Sequence, residues 1–440
     1  SYGADDIAWW ENTAGDGSAW TRYTVDTQFN AAISVYAADM DHDGDMDVLG
    51  AAYGDDDIAW WENTLGDGSA WNKHTVTGAF DGVSSAYAAD IDGDGDLDVL
   101  GTASYDDDIT WWENTAGNAS TWSAHAIAAT FDGAFAVYAA DVDSDGDMDV
   151  LGAAIYAGDI TWWENTAGNA SAWSEHSVDA AFDGAASVHT ADVDGDGDLD
   201  VLGAAFNAGD IAWWENTAGD GSTWSKHTVD ATFEGAHAVF TADMDRDGDL
   251  DVLGAANDAD DITWWENTAG NGSAWSEHTV DGAFNGARSV YAADADADGD
   301  LDIFGAAYYD SDITWWENTA GDASAWSEHL VEGYFAQAIS VYAADIDGDG
   351  DLDVLGAASN ADDIAWWENR GGQFALTTTN TAPAQLAGGQ SDDLLKITMT
   401  HRGRSGDSDE ELATLQLLLE DSSGGLLTTA TANAAIASLS

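Results

Sequence analysis

The sequence predicts an all-β protein: a seven-bladed β-propeller of four-stranded blades, followed by a small, mainly β C-terminal extension. Three observations lead there. A unit of 51 residues recurs along most of the 440-residue chain, and a fixed period of this order marks an array or a ring rather than separate domains. Each unit holds four short segments rich in branched and aromatic residues, separated by turn clusters, which is the pattern of a propeller blade. Proline occurs once and no segment keeps a 3.6-residue period, as paired strands rather than helices require.

The chain opens partway through a unit, since Ser1-Tyr2-Gly3 matches Ala52-Tyr53-Gly54. Asp6 to Asn12 reads as a strand, Thr13 to Ser18 as a turn, and Ala19 to Val25 as another strand. From about residue 31 the unit is complete. Ser34 to Ala38 is a short apolar strand and Val48 to Ala52 a second. Tyr53 to Asp56 is a hairpin turn, Ile58 to Asn63 a third strand, and Ala70 to Val76 a fourth. The expected organisation is an N-terminal outer half-blade over residues 1–27, propeller repeats over 28–378, and a linker with a small module over 379–440.

Between the first and second strands of the unit lies the most regular stretch in the chain. Asp39, Asp41, Asp43, Asp45 and Asp47 alternate with other residues, and Gly44 sits among them. In an extended strand these carboxylates would project from one face and repel one another. A tight loop around a hard cation removes that problem. Calcium takes carboxylate and carbonyl oxygens, and a glycine at loop position 6 permits the sharp turn, whereas magnesium prefers fewer protein ligands in a stricter octahedron. Positions 1, 3 and 5 are then Asp39, Asp41 and Asp43. Asp45 offers its backbone carbonyl from position 7, and Asp47 its side chain from position 9.

The loop recurs six more times. The copies are Asp90, Asp92, Asp94, Asp96 and Asp98; Asp141, Asp143, Asp145, Asp147 and Asp149; Asp192, Asp194, Asp196, Asp198 and Asp200; Asp243, Asp245, Asp247, Asp249 and Asp251; Asp294, Asp296, Asp298, Asp300 and Asp302; and Asp345, Asp347, Asp349, Asp351 and Asp353. Every copy keeps its glycine, while position 4 varies freely as His42, Gly93, Ser144, Gly195, Arg246, Ala297 and Gly348. About seven calcium ions, one per blade, are expected.

Composition narrows the function. The formal net charge is −75, from 84 acidic and 9 basic residues, and seven divalent ions would neutralise only a small part of it. Nucleic acid is excluded as a partner because its phosphates would be repelled and no basic patch exists. Anionic membrane surfaces are disfavoured for the same reason. Without cysteine there is no disulfide framework, thiolate metal site or cysteine nucleophile. Loops of this kind suit calcium-rich surroundings, which points outside the cell. No apolar run reaches membrane-spanning length and no signal peptide is visible, so Ser1 is expected to be a mature or trimmed N-terminus.

The 23 tryptophans all fall on the repeat. Sixteen form adjacent pairs, from Trp9-Trp10 to Trp366-Trp367. Neighbours on a strand point to opposite faces, and both faces of a blade are covered in a propeller, so these rings are expected to pack between blades. Six histidines, His74, His125, His176, His227, His278 and His329, follow the single tryptophans, with Tyr23 in the first copy. Eight equivalent glutamates follow the pairs, from Glu11 to Glu368. Equivalent carboxylates do not provide the separated environments that acid–base catalysis needs. No nucleophile elbow and no phosphate loop is present, and the chain is expected not to be an enzyme.

The Ala-Ala-Asp-x-Asp-x-Asp-Gly-Asp-x-Asp-Val-Leu-Gly run, followed by Trp-Trp-Glu-Asn, resembles the FG-GAP/VCBS repeats of bacterial secreted and surface proteins, which are similar to the calcium-bearing blades of integrin alpha subunits. The resemblance covers roughly residues 1–376. It implies a propeller whose inner two strands flank the calcium loop, ligation from positions 1, 3, 5, 7 and 9 of all seven loops, and a role in recognition or adhesion. The blades here are more alike than is usual in an integrin-type propeller.

Seven loops imply seven inner strand pairs, but eight Trp-Trp strands imply eight outer pairs. Either the first outer pair or residues 362–378 could complete the last blade, leaving one half-blade to pack elsewhere or to pair with another molecule. After Phe374 a polar linker with Pro383 leads to two expected strands, Leu394 to Met399 and Leu412 to Leu419, and a short helix over Thr428 to Leu439.

The expected function is a non-enzymatic, calcium-stabilised extracellular scaffold for surface binding, adhesion or self-assembly into a filament. Its partners would be other subunits, including copies of itself, or a surface protein or glycan; nucleic acid and membrane insertion are excluded. The alternative is a carbohydrate-binding or lyase-type protein. It would use the variable blade tips Tyr53, Tyr105, Tyr156, Phe206, Asn257, Tyr308 and Tyr309.

Overall fold

The structure is a computed structural model, and it describes residues 20–360, 363–368, 374–380 and 395–401. They form thirty strands, β1–β30 in chain order. The first complete blade is an antiparallel sheet of β2 (Ala32–Ala38), β3 (Asp47–Ala52), β4 (Asp57–Asn63) and β5 (Trp71–Thr77), in that order from the axis outward. From β6 (Val83–Ala89) to β25 (Trp326–Glu332) the same order repeats through five more blades. The predicted all-β, seven-bladed propeller is what the chain forms.

Burial explains the composition of each strand. β3, Asp-Val-Leu-Gly-Ala-Ala, is buried at every position because neighbouring blades cover both of its faces. β5 stands at the rim, is half-solvated, and carries the polar residues. Val48, Leu49 and Gly50 face Trp61, Trp60 and Ala59 across the ladder. Gly50 is fixed by a close approach: a Cβ there would lie 2.4 Å from Ile364 Cδ1 of the preceding blade. The paired tryptophans are packing residues, as expected. Trp60 and Trp61 are each 1% exposed. Trp60 stacks on His74 within its blade (4.4 Å, 15°) and donates from Nε1 to the Ala119 carbonyl of the next. Trp61 meets Phe29 edge-on.

The innermost strands surround the axis, where seven aromatic side chains form a closed ring. Tyr36, Tyr87, Tyr138, His189, Phe240, Tyr291 and Tyr342 each touch the next, with centroids 4.8 to 5.2 Å apart, and Tyr342 closes on Tyr36. Six of these positions are Tyr or Phe, so ring closure selects aromatic residues at a position that composition alone leaves unexplained.

Ring closure resolves the count of half-blades in a way the sequence did not anticipate. The last blade is β26 (Ala338–Ala344), β27 (Asp353–Ala358), β28 (Asp363–Glu368) and then β1 (Thr21–Asp26). Neither outer pair supplies both strands: the C-terminal copy gives the third and the N-terminal copy the fourth. Tyr23 pairs with Trp366 and stacks on it at 4.8 Å, taking the place that histidine holds elsewhere. Arg22, 6% exposed, reaches Asp363 at 2.8 Å and so ties the two ends of the ring together.

β29 (Phe374–Asn380) does not join a blade. It pairs antiparallel with β30 (Leu395–His401), with Thr377 opposite Thr398, in a second compact unit that begins at Gly372. The boundary expected after residue 378 therefore falls seven residues earlier, because the edge of β28 is already taken by β1. The N-terminal strand expected over Asp6 to Asn12, the strand over Leu412 to Leu419 and the helix over Thr428 to Leu439 lie outside the described residues.

Candidate metal centres

Each aspartate loop leaves the outer end of an innermost strand and returns into the second strand of the blade, so all seven lie on one face of the propeller. Two features force the turn. Position 6 is glycine at φ 94° to 101° in every loop, and in five of them a Cβ would meet nothing within 4 Å. The requirement there is conformational rather than one of space. Position 4 is also left-handed in every loop, from φ 60° at Ala297 to 76° at Gly195. This accounts for glycine at three of these otherwise varied positions.

The carboxylates divide the work. At position 3, Asp41 Oδ1 accepts from Asp43 N at 3.2 Å, and at position 5 Asp43 Oδ1 accepts from Asp45 N at 3.0 Å. At position 1, Asp90 Oδ2 accepts from Gly95 N at 3.1 Å, and the bond recurs in the other loops. The other oxygen, Oδ1 of Asp90, Asp141, Asp192, Asp243 and Asp294, is buried without any hydrogen-bond partner among the described residues. A buried anionic oxygen left bare costs several kcal/mol by order of magnitude, and a cation is the natural partner.

The structure brings positions 1, 3 and 9 together in at least four loops. Asp90, Asp92 and Asp98 have ligand atoms within 4.8 Å of one another, as do Asp141, Asp143 and Asp149, Asp192, Asp194 and Asp200, and Asp243, Asp245 and Asp251; in the first loop the group is Asp39, Asp41 and Asp43. Position 7 behaves differently. The Asp45 carboxylate lies against Gly66 of the turn between β4 and β5, and Asp96, Asp147, Asp198 and Asp249 repeat this against their own turn glycines. Its side chain leans away from the loop, which is compatible with ligation from position 7 through the carbonyl. The donor set of carboxylates and carbonyls fits calcium.

Position 9 holds a second role that sequence reasoning missed. Asp47, 1% exposed, accepts from Met40 N at 3.0 Å and from Asn63 N at 2.8 Å. It clamps the start of the loop to the end of β4. Burial raises its carboxyl to about 7, and the neighbouring Asp41 and Asp43 add to the rise against the two backbone bonds. The partner, Asn63, is the residue after Trp-Trp-Glu. Its Oδ1 accepts from Gly68 N, and its Nδ2 donates to Met46 O of its own loop and to Ile346 O of the preceding blade's loop. Asn165, Asn216, Asn267 and Asn318 repeat the bond to the preceding loop. Five such bonds wire loops to their neighbours, and the recurrence of asparagine after every Trp-Trp-Glu was the available signal.

The periodic histidines and glutamates pair with each other. His74 Nε2 meets Glu62 Oε2 at 3.0 Å, and the same pair recurs on the outer strands of the next five blades. The His74 and Asn72 hydrogen bonds hold the Glu62 carboxyl below its ordinary range. The six pairs are equivalent in geometry and partly exposed.

A four-stranded blade repeated seven times, with an acidic loop between its first two strands, defines a propeller with one aspartate loop per blade. The model of the FG-GAP-like repeat matches residues 45–101, 90–152, 152–203, 192–254, 247–305 and 296–356, and the chain belongs to that family. No curated protein matches it. Among solved structures it is similar to virginiamycin B lyase from Staphylococcus aureus, at 8% identity and a TM-score of 0.55, over 79% of this chain and 98% of that one. A catalytically inactive variant of that lyase with quinupristin matches at 9% and 0.55, over 79% and 98%. The BBS1N chain from its complex with ARL6DN matches at 11% and 0.52, over 79% and 96%. At these identities the likeness is one of fold.

Proposed function

We infer that the protein is a non-enzymatic extracellular recognition scaffold whose blades are set by calcium. The bare buried oxygen at position 1, repeated in five loops, carries this reading. Seven acidic clusters, with five asparagine links between neighbouring loops, would repel one another without cations and tighten with them. Extracellular calcium modules work at dissociation constants of about 10⁻⁴ to 10⁻³ M, which suits a location outside the cell. No helix among the described residues is long and apolar enough to cross a membrane. Binding is favoured over self-assembly because the edge of the closing blade is occupied by β1. The exposed tyrosines at the blade tips keep open a carbohydrate-directed role, which a lyase assay on acidic polysaccharides would reveal.

The test is calcium titration of chelated protein by calorimetry, with light scattering on the same samples. Uptake of about seven ions per chain, with a melting temperature that rises as the loops fill, is expected. One site at a hundredfold excess over its dissociation constant contributes about 2.7 kcal/mol. Melting that EDTA leaves unchanged would remove the calcium role. Polymers that dissolve on chelation would move the function from recognition to assembly.

A further inference from the structure

On the face opposite the aspartate loops, the innermost strands begin around an axial pocket of about 300 Å³. Each blade contributes the residue at the same place in its repeat: Ile33, Ser84, Phe135, Ala186, His237, Arg288 and Ile339. The following positions are all serine or alanine, so at this end of the innermost strands the variety lies in the side chains around the pocket. A ring held together by repetition has no packing reason to place an arginine and a histidine there.

Arg288 is one of nine basic residues in a chain of charge −75. Its guanidinium lies 4.3 Å from the Tyr308 ring centroid. With the Asn257 amide turned so that its nitrogen donates to Asp258, the Asn257 oxygen accepts from Arg288 Nε at 3.1 Å. Stacked on one face and held at Nε, the fork has neither an ion pair nor another hydrogen bond to its outer nitrogens among the described residues. Those two nitrogens match the spacing of a carboxylate. His237 stands beside it. Its Nδ1 donates to the Arg288 carbonyl at 2.9 Å, so Nε2 carries the lone pair. Burial, aided by the adjacent arginine charge, pushes this imidazole down to about 3, and it remains a neutral acceptor for a hydroxyl. Phe135 packs edge-on to His237 at 5.7 Å and supplies an apolar wall. Tyr53 also lines the pocket, at its exposed edge; beyond it Tyr105 and Tyr156 are exposed, and the Tyr53 and Tyr105 rings lie 5.6 Å apart.

We propose that this axial pocket binds a sugar acid, with the carboxylate on Arg288, a ring hydroxyl on His237 Nε2, and the C–H face of the ring against Phe135. A sugar acid offers a planar anion, hydroxyl donors and an apolar face together, at a size suited to a pocket of this volume. The tyrosine rim would stack further residues of an acidic glycan. The acidic surface does not forbid this, because charges beyond about 8 Å are screened at physiological salt whereas the fork contact is direct. The proposal deepens the recognition reading and is independent of calcium uptake, so either can fail alone.

The experiment is an NMR titration of the full chain in calcium with glucuronate, galacturonate, glucose and N-acetylphenylalanine. A uronate is expected to bind, with glucose at least about tenfold weaker. Arg288→Gln should weaken uronate binding by at least a similar, roughly tenfold factor. Ile339→Trp fills the pocket from another blade and should abolish binding even if the arginine variant folds poorly. The proposal is overturned if neither uronate binds, if glucose binds equally well, if both variants bind as the parent does, or if N-acetylphenylalanine binds in their place.

Discussion

At one end of every innermost strand stands an aspartate loop with the same five carboxylates and the same glycine. At the other end, six residues before the first aspartate, stands a side chain that differs in nearly every blade. Both ends belong to the same strands, so the contrast reflects surroundings. The loop end is packed: Asp47, Asn63 and the preceding blade's Ile346 carbonyl form one hydrogen-bonded chain from blade to blade. A change in one loop disturbs two blades. The axial end opens on a cavity, and its side chains meet partners particular to their own blades, such as Tyr308 against Arg288 and Phe135 against His237. In a ring, repetition is imposed where blades touch and released where they converge on solvent.

The largest test of this contrast uses two isoleucines of one blade. Ile346 sits at loop position 2, 1% exposed, and belongs to the core between the last blade and the first. Ile339 lies seven residues earlier, half-buried at the pocket. Ile346→Ala should cost about 3 kcal/mol, within the range of buried Ile truncations. Ile339→Ala should cost less than about 1 kcal/mol, since the pocket wall already has space before it. Urea unfolding in saturating calcium reads both. Equal losses would mean that the two ends are constrained alike.

A second test asks whether the loop end is equivalent around the ring. Asn216 bonds to Val142 O, Leu199 O and Gly221 N, and Asn267 makes the same three bonds one blade later. Asn216→Ala and Asn267→Ala should each cost about 2 to 3 kcal/mol, because buried carbonyls and an N–H lose their partners. The two values should agree to within about 0.5 kcal/mol. A clear inequality would show that the repeat hides blade-specific roles.

Much of this architecture was legible because the repeat reports its own constraints. The 51-residue period gave the blades, and the invariant aspartates gave the loops. Branched and aromatic runs between turn clusters gave the strands to within a residue or two. What escaped notice depends on through-space partners. The bond from Asn216 to Val142 spans 74 residues. The shared closing blade depends on which of two equivalent segments wins one edge, and local pattern cannot rank Ala19 to Val25 against Phe374 to Asn380. The chemistry of the pocket was hidden because its residues are 51 apart and share no motif. Their variation reads as noise until the axis brings them together.

The smallest expected effect lies midway along the strands, in the aromatic ring. His189 stands between Tyr138 and Phe240, at 5.0 and 5.2 Å, where five of the other six members are tyrosine and one is phenylalanine. Burial alone pushes its imidazole down to about 4. The folded value lies below the ordinary unfolded value of about 6.5. The contribution is therefore fully present above about pH 6.5 and is lost as pH falls through about 4, because the unfolded chain takes up the proton first. His237 has the same sign and remains in both proteins, so the difference between variant and parent isolates one ring. Allowing for solvent in the axial channel, His189→Phe should gain about 1 kcal/mol over the parent between pH 7.5 and pH 5. Melting in saturating calcium at the two pH values measures it. A variant whose advantage stays constant with pH would show that His189 keeps its ordinary proton affinity on the axis, and the ring would then be looser than its centroid spacing implies.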